Sequence, residues 1–263
     1  MKNGKDLAQA IACAGVGYAL GNINPAYLIS TYHGYDVRRM GSGNAGGTNI
    51  MMLEGKLAGI SVMAFDIGKA TLSVKLCQKA FPRFKSSGET AGAACILGHM
   101  FPAAMGFRGG KGLACLGGTI IAFGFKDFAV SLGVAVSVLL TTRYLCFVPI
   151  CTSAFYSLYH GIKSGNWQGA KILGSVVPPI IIKHLGNIKR IFEGKEFRVD
   201  YLWDAVGELE RTGLKDAAEE TLSKIRSLKE APNMSDPSEW DTPDLPDKTE
   251  DEKDDDKDDD KNH

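Results

Sequence analysis

Paired metal-ligand and redox motifs are missing from this chain of 263 residues. Its six cysteines, Cys13, Cys77, Cys95, Cys115, Cys146 and Cys151, contain no C-x-x-C pair. Each lies in or beside an apolar run, where cysteine behaves as a small buried hydrophobe, so neither disulfides nor zinc are expected. The histidines are scattered and no H-E-x-x-H occurs, so no metal and no cofactor is expected. A phosphate-binding P-loop is missing too. F-R-G-G-K-G at Phe107–Gly112 comes near it, but Lys111 is followed by Gly112 and the flanks are apolar helices rather than a strand. What survives is a lysine held by flexible backbone, suited to a phosphate or a developing oxyanion. His33, His99, His160 and His184 all lack an aspartate five residues on, which excludes the H-x-x-x-x-D signature of the common acyl-CoA glycerolipid acyltransferases. The start, M-K-N-G-K-D-L, resembles a weak signal peptide. The apolar run after it is interrupted by glycine and asparagine and has no clear cleavage site, so it reads as a retained helix.

The chain also lacks net charge, with 30 Lys+Arg against 30 Asp+Glu. That balance hides a segregation. From Asp236 onward there are fourteen acidic and four basic residues, and the preceding body carries a net charge of +10. A basic, apolar body with a detached acidic tail is two compositions joined. From Ala231 the chain is Pro- and Asp-rich and reads as disordered, with no identifiable protein partner. No nucleic-acid partner is expected.

What is present is a series of apolar stretches. The first, Leu7–Thr31, contains Gly21, Asn22, Asn24 and Pro25, residues tolerated at membrane depth when neighbouring helices satisfy the backbone. The second, Leu57–Leu76, has about the ~20 residues needed to cross a bilayer. It holds Asp66 and Lys69, whose i, i+3 spacing puts them on one face, as an ion pair or as part of a site. Ala91–Phe107, Leu113–Phe125, Phe128–Thr142, Tyr144–Tyr159 and Ala170–Ile182 complete the series. The expected fold is all-α: a polytopic membrane bundle of about seven transmembrane helices. Leu214–Leu228 reads as a short soluble amphipathic helix. The domains are then 1–198, the membrane unit, 199–230, a helical extension, and 231–263, the disordered acidic tail. By parity, seven crossings put the segments around Gly41, Gly109, Arg143 and Lys183 on one face. The modest Lys/Arg excess there makes that face cytoplasmic and the N-terminus external.

Between the first two stretches lies Y-D-V-R-R-M-G-S-G-N-A-G-G-T-N, Tyr35–Asn49. Its glycines, including Gly46, permit close backbone approach to a ligand, and successive turn amides form anion-binding nests. Ser42, Asn44, Thr48 and Asn49 add short polar groups, and Arg38 supplies a guanidinium matched to phosphate. The segment is either a phosphate-holding loop or an ordinary polar turn between helices.

This segment, then G-H-M-F-P-A-A-M-G-F-R-G-G-K-G-L-A, then H-L-G-N-I-K-R-I-F-E-G-K-E, resemble in order and spacing the three motifs of the bacterial acyl-phosphate:glycerol-3-phosphate acyltransferases of PlsY type. The resemblance covers roughly Ala19–Glu196. It implies an inner-membrane enzyme that moves an acyl group from acyl phosphate to the first hydroxyl of glycerol-3-phosphate, releasing lysophosphatidic acid and inorganic phosphate. It carries Arg38, Ser42 and Asn44 from the first motif, and Gly109, Gly110, Lys111 and Gly112 from the second. The third supplies His184, Asn187 and Glu196. His99 falls in the family's G-H-x-x-P run, and reads as a site-supporting or a helix-packing histidine. In the expected mechanism Arg38 and Lys111 meet the phosphates. His184, or a phosphate oxygen of a substrate, takes the hydroxyl proton, and Ser42 forms no acyl-enzyme.

The chain departs from the family at three places: Gly21-Asn22-Ile23-Asn24-Pro25 stands for G-S-I-P, Ala70 for a glycine after Lys69, and His184-Leu185-Gly186-Asn187-Ile188 for H-R-E-N-I. The alternative functions are a membrane transporter for a small phosphorylated or other anion, with broken helices at its site, and a catalytically inactive homologue.

Overall fold

The computed structural model describes residues 4–202 and 205–213, together with Lys215, Asp216, Glu219, Glu220 and Ser223. Among the described residues there are helices and short 3-10 turns and no strand. The helices are α1 (Gly4–Asn22), α2 (Pro25–Tyr32), α3 (Gly47–Glu54), α4 (Lys56–Ala80), α5 (Ser87–Met100), α6 (Leu113–Phe123), α7 (Phe125–Thr142), α8 (Phe147–Ser164), α9 (Trp167–Gly174), α10 (Val177–Phe192) and α11 (Ala205–Thr212).

Two expected spans are broken. Leu7–Thr31 divides at Ile23-Asn24, because the Asn24 side chain caps α2 by accepting from the Tyr27 amide at 2.9 Å, and Pro25 follows at the first helical position. Ala170–Ile182 divides at Ser175-Val176, and Pro178-Pro179 sit in the first turn of α10, where missing amides cost nothing to the helix. Among the described helices, α4, of 25 residues, and α7, of 18, combine the length and apolar composition needed to cross a membrane. α1 and α8 have the length, at 19 and 18 residues, but a more polar composition. The expected helix 214–228 falls largely outside the described residues, and the acidic tail from Ala231 wholly so. The described part of the extension instead forms the shorter α11.

Close backbone approach builds the bundle. A Cβ on Gly17 or Gly21 of α1 would stand 2.2 Å from Ala91 O or 2.3 Å from Cys95 O of α5. The spacing is the small-xxx-small pattern by which membrane helices meet without large side chains between them. Gly118 of α6 lies equally close to Ile67 O of α4, and Thr71 Oγ1 donates to Gly118 O at 2.9 Å. The main core gathers Ile96, Met100, Leu116, Ile120, Tyr156 and Ile180 from α5, α6, α8 and α10. A second, around Ala26, Tyr35, Val37, Ile50 and Val62, holds the first glycine loop against α2, α3 and α4. A buried polar knot of Glu89, His160 and Asn166 ties α5 to α8 and the cap of α9. Five cysteines are buried as expected of small hydrophobes, whereas Cys151 is exposed on α8.

The C-terminal strap returns to the bundle. Val199 N–H donates to Arg143 O at 2.8 Å, and Asp200 pairs with Arg143. Arg211 on α11 donates to Gly194 O at 2.9 Å and Glu196 O at 2.5 Å.

Candidate active site

The first glycine loop is tied down from inside. Asn49 is fully buried. Its Oδ1 accepts from the Ser42 amide at 3.0 Å, and its Nδ2 donates to Val37 O and Met40 O at 3.1 and 2.9 Å. Its amide is therefore committed to the loop's own backbone. Asn24 Nδ2 adds a bond to Ala45 O at 3.1 Å. The departure Gly21–Pro25 thus gives the loop a tether rather than leaving a gap. α3 begins at Gly47, so amides of its first turn have no partner within the helix, and Asn44, Gly46, Gly47 and Thr48 line a cavity of about 390 Å³.

The second glycine loop forms the facing wall. The Gly109 and Gly110 amides donate to Met100 O and His99 O at 3.2 and 3.1 Å. A Cβ on Gly110 would lie 2.2 Å from His99 Nε2 and 2.8 Å from Ala45 O. These glycines let the loop press against α5 and the first loop, and their amides are bound to protein carbonyls. Gly112, at φ +85°, turns the chain into α6, and Lys111 reaches the cavity.

Lys111 Nζ donates to Asn187 Oδ1 at 2.6 Å. Asn187 Nδ2 donates to Glu196 Oε1 at 2.5 Å, and Arg190 Nε to Glu196 Oε2 at 2.8 Å. The third motif therefore meets the cavity through Lys111, and His184, Asn187 and Glu196 stand behind that lysine. His184 lies two residues beyond the last apolar stretch. It is buried, and its Nδ1–H donates to Ile180 O at 2.7 Å, which leaves Nε2 as the acceptor. Its pKa departs from the ordinary value expected. Burial pushes it down to about 4 against the pull of the Ile180 carbonyl, and the Lys111 charge adds to the fall.

Asp66 and His99 line the cavity, and Lys69 pairs with Asp66. Lys69 Nζ lies 2.6 Å from Asp66 Oδ1 and donates to Ile23 O, Gly21 O and His99 Nδ1 at 2.6, 3.2 and 3.2 Å. The break between α1 and α2 supplies two of those carbonyls. His99 is bonded into this ion pair rather than to a neighbouring backbone. Asp66, His99 and Cys115 each bring a potential ligand atom within 4.8 Å of the others, but the Lys69 ammonium already stands where a cation would.

Arg38 stands apart from the cavity lining. Its guanidinium pairs with Asp36, donates to Met105 O at 2.7 Å and lies 4.8 Å over the Tyr27 ring. Asp36 was not singled out in the sequence, although its place two residues before Arg38 is the usual one for a carboxylate that caps a 3-10 turn. Lys183, 4.7 Å over the Phe101 ring, and Arg190 were also missed, the first standing just before the basic third motif and the second inside it. The departures at Leu185 and Gly186 point outward. Leu185 is exposed, and a Cβ on Gly186 would meet only Arg190 Nη1, at 3.6 Å.

Away from these groups the cavity becomes apolar, lined by Leu116 and Ile120 of α6, Leu132, Val136 and Leu139 of α7, and Val148 of α8. One continuous space thus joins a lysine and loop amides to a hydrocarbon wall. Among the described residues, an all-helical bundle with such an amphiphilic cleft has room for a phosphorylated head beside a lipid chain.

The glycerol-3-phosphate acyltransferase family matches residues 11–194, and the chain belongs to that family. A glycerol-3-phosphate acyltransferase of Legionella pneumophila (strain Corby) is 34% identical over 209 residues, covering 78% of this chain and 74% of the relative. One from Thermoanaerobacter sp. (strain X514) is 31% identical over 194 residues, covering 72% and 96%. The crystal structure of PlsY (YgiH), an integral membrane glycerol 3-phosphate acyltransferase, in its glycerol 3-phosphate form is similar with a TM-score of 0.65 and 29% identity, over 75% of this chain and 98% of that one. The lysophosphatidic acid form gives 0.61 at 30% identity.

Proposed function

We propose that this protein transfers an acyl group from acyl phosphate to the first hydroxyl of glycerol-3-phosphate, giving lysophosphatidic acid and inorganic phosphate. Family membership supports the acyl transfer, and relatives described in glycerol 3-phosphate and lysophosphatidic acid forms support the acceptor and the product. The observation that carries the reading for this chain is the single cavity that runs from Lys111, Asn44 and Thr48 into the wall of α6 and α7. Acyl phosphate has this shape: a phosphate at one end of a hydrocarbon chain.

In this reading Lys111 holds a phosphate, and Asn44, Gly46 and Thr48, with the first-turn amides of α3, surround the acceptor's polar groups. Asn187 and Glu196 aim Lys111. Arg38 acts at the rim, where release from Asp36 would free it for an incoming phosphate. Ser42, Asn49, Gly109, Gly110 and Gly112 shape the two loops, and the Asp66–Lys69–His99 group supports them. The glycerol hydroxyl oxygen attacks the acyl carbonyl carbon. A carbon–oxygen ester bond forms, the bond to the phosphate oxygen breaks, and phosphate leaves with the electron pair. The hydroxyl proton goes to a phosphate oxygen. With its second pKa near ~6, phosphate is a stronger base than an imidazole held near 4, and His184 orients the groups beside Lys111.

The enzyme is multi-pass in a bacterial inner membrane, with its site and C-terminus cytoplasmic. Residues 1–198 form the catalytic unit, 199–230 a helical extension and 231–263 an acidic tail. The test is purified full-length protein in detergent, given glycerol-3-phosphate and an acyl phosphate. Stoichiometric lysophosphatidic acid and phosphate are expected. Turnover with acyl-CoA in place of acyl phosphate would refute the donor assignment, and no turnover with either would favour an inactive homologue or a carrier.

A further inference from the structure

The break between α1 and α2 does more than divide a long apolar stretch. Asn24 is 3% exposed and makes two side-chain bonds of opposite sense. Its Oδ1 accepts from the Tyr27 amide at 2.9 Å, and its Nδ2 donates to Ala45 O at 3.1 Å. A backbone N–H only donates and a carbonyl only accepts, so the two partners fix which way round the side-chain amide sits. The family sequence G-S-I-P, which this segment replaces, contains no side-chain amide. The bond to Ala45 is therefore this chain's own.

Ala45 O lies where the two glycine loops meet. Ala45 is fully buried, and a Cβ on Gly110 of the second loop would stand 2.8 Å from this oxygen. The same peptide is held at its other end, since Gly46 N–H donates to Asn44 O at 2.9 Å. Asn24 and Asn44 thereby fix the plane of the Ala45–Gly46 peptide, just before the chain enters α3 at Gly47. Asn44, Gly46, Gly47 and Thr48, on either side of that carbonyl, line the cavity, as does Lys111, the neighbour of Gly110. Glycine restricts the backbone least, so a loop this rich in it spreads over many conformations unless something outside it holds it. The Asn24 amide is such a hold, placed where the loop passes into the cavity wall.

We propose that Asn24 is a positioning residue that sets the first glycine loop for the acceptor substrate, glycerol-3-phosphate. This rests on the acyl-transfer reading above, in which Asn44, Gly46, Thr48 and the first-turn amides of α3 surround the acceptor's polar groups. Asn24 lies outside the cavity lining and acts through the Ala45 carbonyl. Loss of that bond leaves Lys111 and the apolar wall in place. The KM for the acceptor is therefore the quantity that moves, and the KM for acyl phosphate is not. The cap on α2 and the tether to Ala45 use different atoms of one side chain, so substitution can separate them.

The experiment compares wild type, Asn24→Ser and Asn24→Ala as purified full-length proteins in detergent. Serine keeps an oxygen for the Tyr27 amide and caps about as well as asparagine, but it is one bond too short for Ala45 O. Alanine loses both bonds. Phosphate release is measured with glycerol-3-phosphate and acyl phosphate varied in turn, and the melting temperature of each protein is recorded. Both variants are expected to raise the KM for glycerol-3-phosphate by about five- to tenfold, the size of one neutral hydrogen bond. The KM for acyl phosphate and kcat should each stay within about twofold of wild type. Only Asn24→Ala should lower the melting temperature markedly, because only it loses the cap. A role confined to holding the fold gives a different pattern: the acceptor KM follows the melting temperature, and Asn24→Ser matches wild type. That result overturns the proposal. An equal rise in both KM values overturns it too, as does failure of both variants to fold, which would make Asn24 a prop of the whole bundle. If wild type turns over and the acceptor-specific effect is missing, only this proposal fails. If wild type itself does not turn over, the acyl-transfer reading fails and takes the proposal with it.

Discussion

Asn187→Leu removes the amide that joins Lys111 to Glu196 and keeps its γ-branched shape. Asn187 is 8% exposed and makes two bonds to charged groups, one accepted from Lys111 at 2.6 Å and one donated to Glu196 at 2.5 Å. A hydrogen bond to a charged group contributes about 1.5–3 kcal/mol, or roughly 10–150-fold if felt wholly in the transition state. The two losses will not add, because Lys111 and Glu196 can approach each other once the amide is gone. The expected result is a fall in kcat/KM of about 100-fold, carried by kcat if Lys111 acts mainly on charge that develops during transfer. Glu196→Gln is the companion. It retains an oxygen for the Asn187 amide but loses the charge that Arg190 and Asn187 both meet, so a fall of only about tenfold is expected. The assay is steady-state release of phosphate by folded, monodisperse protein, with acyl phosphate and glycerol-3-phosphate varied in turn. The order, leucine at 187 worse than glutamine at 196, is the diagnostic. Activity of Asn187→Leu within about threefold of wild type, below the value of one charged hydrogen bond, would refute the idea that this chain of bonds aims Lys111.

Further substitutions probe other parts of the site. Gly110→Ala puts a Cβ 2.2 Å from His99 Nε2 and 2.8 Å from a backbone oxygen. It should force the two loops apart and abolish turnover with a lowered melting temperature, and wild-type activity would contradict the packing described. Arg211→Ala releases the carbonyls of Gly194 and Glu196. A severalfold loss of kcat is expected, and an unchanged rate would show that the extension does not position Glu196. His184→Ala should lower turnover by about tenfold or less if a phosphate takes the proton, and by ~10²–10⁴-fold if the imidazole does. The His184 pKa is depressed in the folded state, so the unfolded chain takes up the proton first as pH falls from about 6.5 towards 4. Thermal stability in detergent should decline through that window, and His184→Gln should flatten the decline.

The glycine motifs were legible in the sequence because backbone conformation and close approach restrict residue choice. Gly109-Gly110 and Gly41–Gly47 could be marked without knowing which amides remain open to a ligand. That second question depends on tertiary partners. Asn49 reads as a ligand-facing amide in the sequence, yet it bonds Val37 O, Met40 O and the Ser42 amide from inside the loop. Arg38 reads as a phosphate contact, and its pairing with Asp36 is local enough to have been inferred. The breaks at Asn24-Pro25 and Pro178-Pro179 carried signals too. Hydropathy windows average over such caps, and so joined α1 to α2 and α9 to α10.

The apolar wall was beyond reach for a different reason. A helix between lipid and a lipid-chain cavity is hydrophobic on both sides, so α7 has no polar face by which to orient it. Leu140 is exposed and Leu139 lines the cavity, and composition gives both the same meaning. Ser131 and Thr152 carried the only polar signal there, and the sequence contains many serines and threonines that bond their own helix. The orientation of α7 is therefore a tertiary fact, and hydropathy has no means of telling a leucine that lines the cavity from one that faces outward.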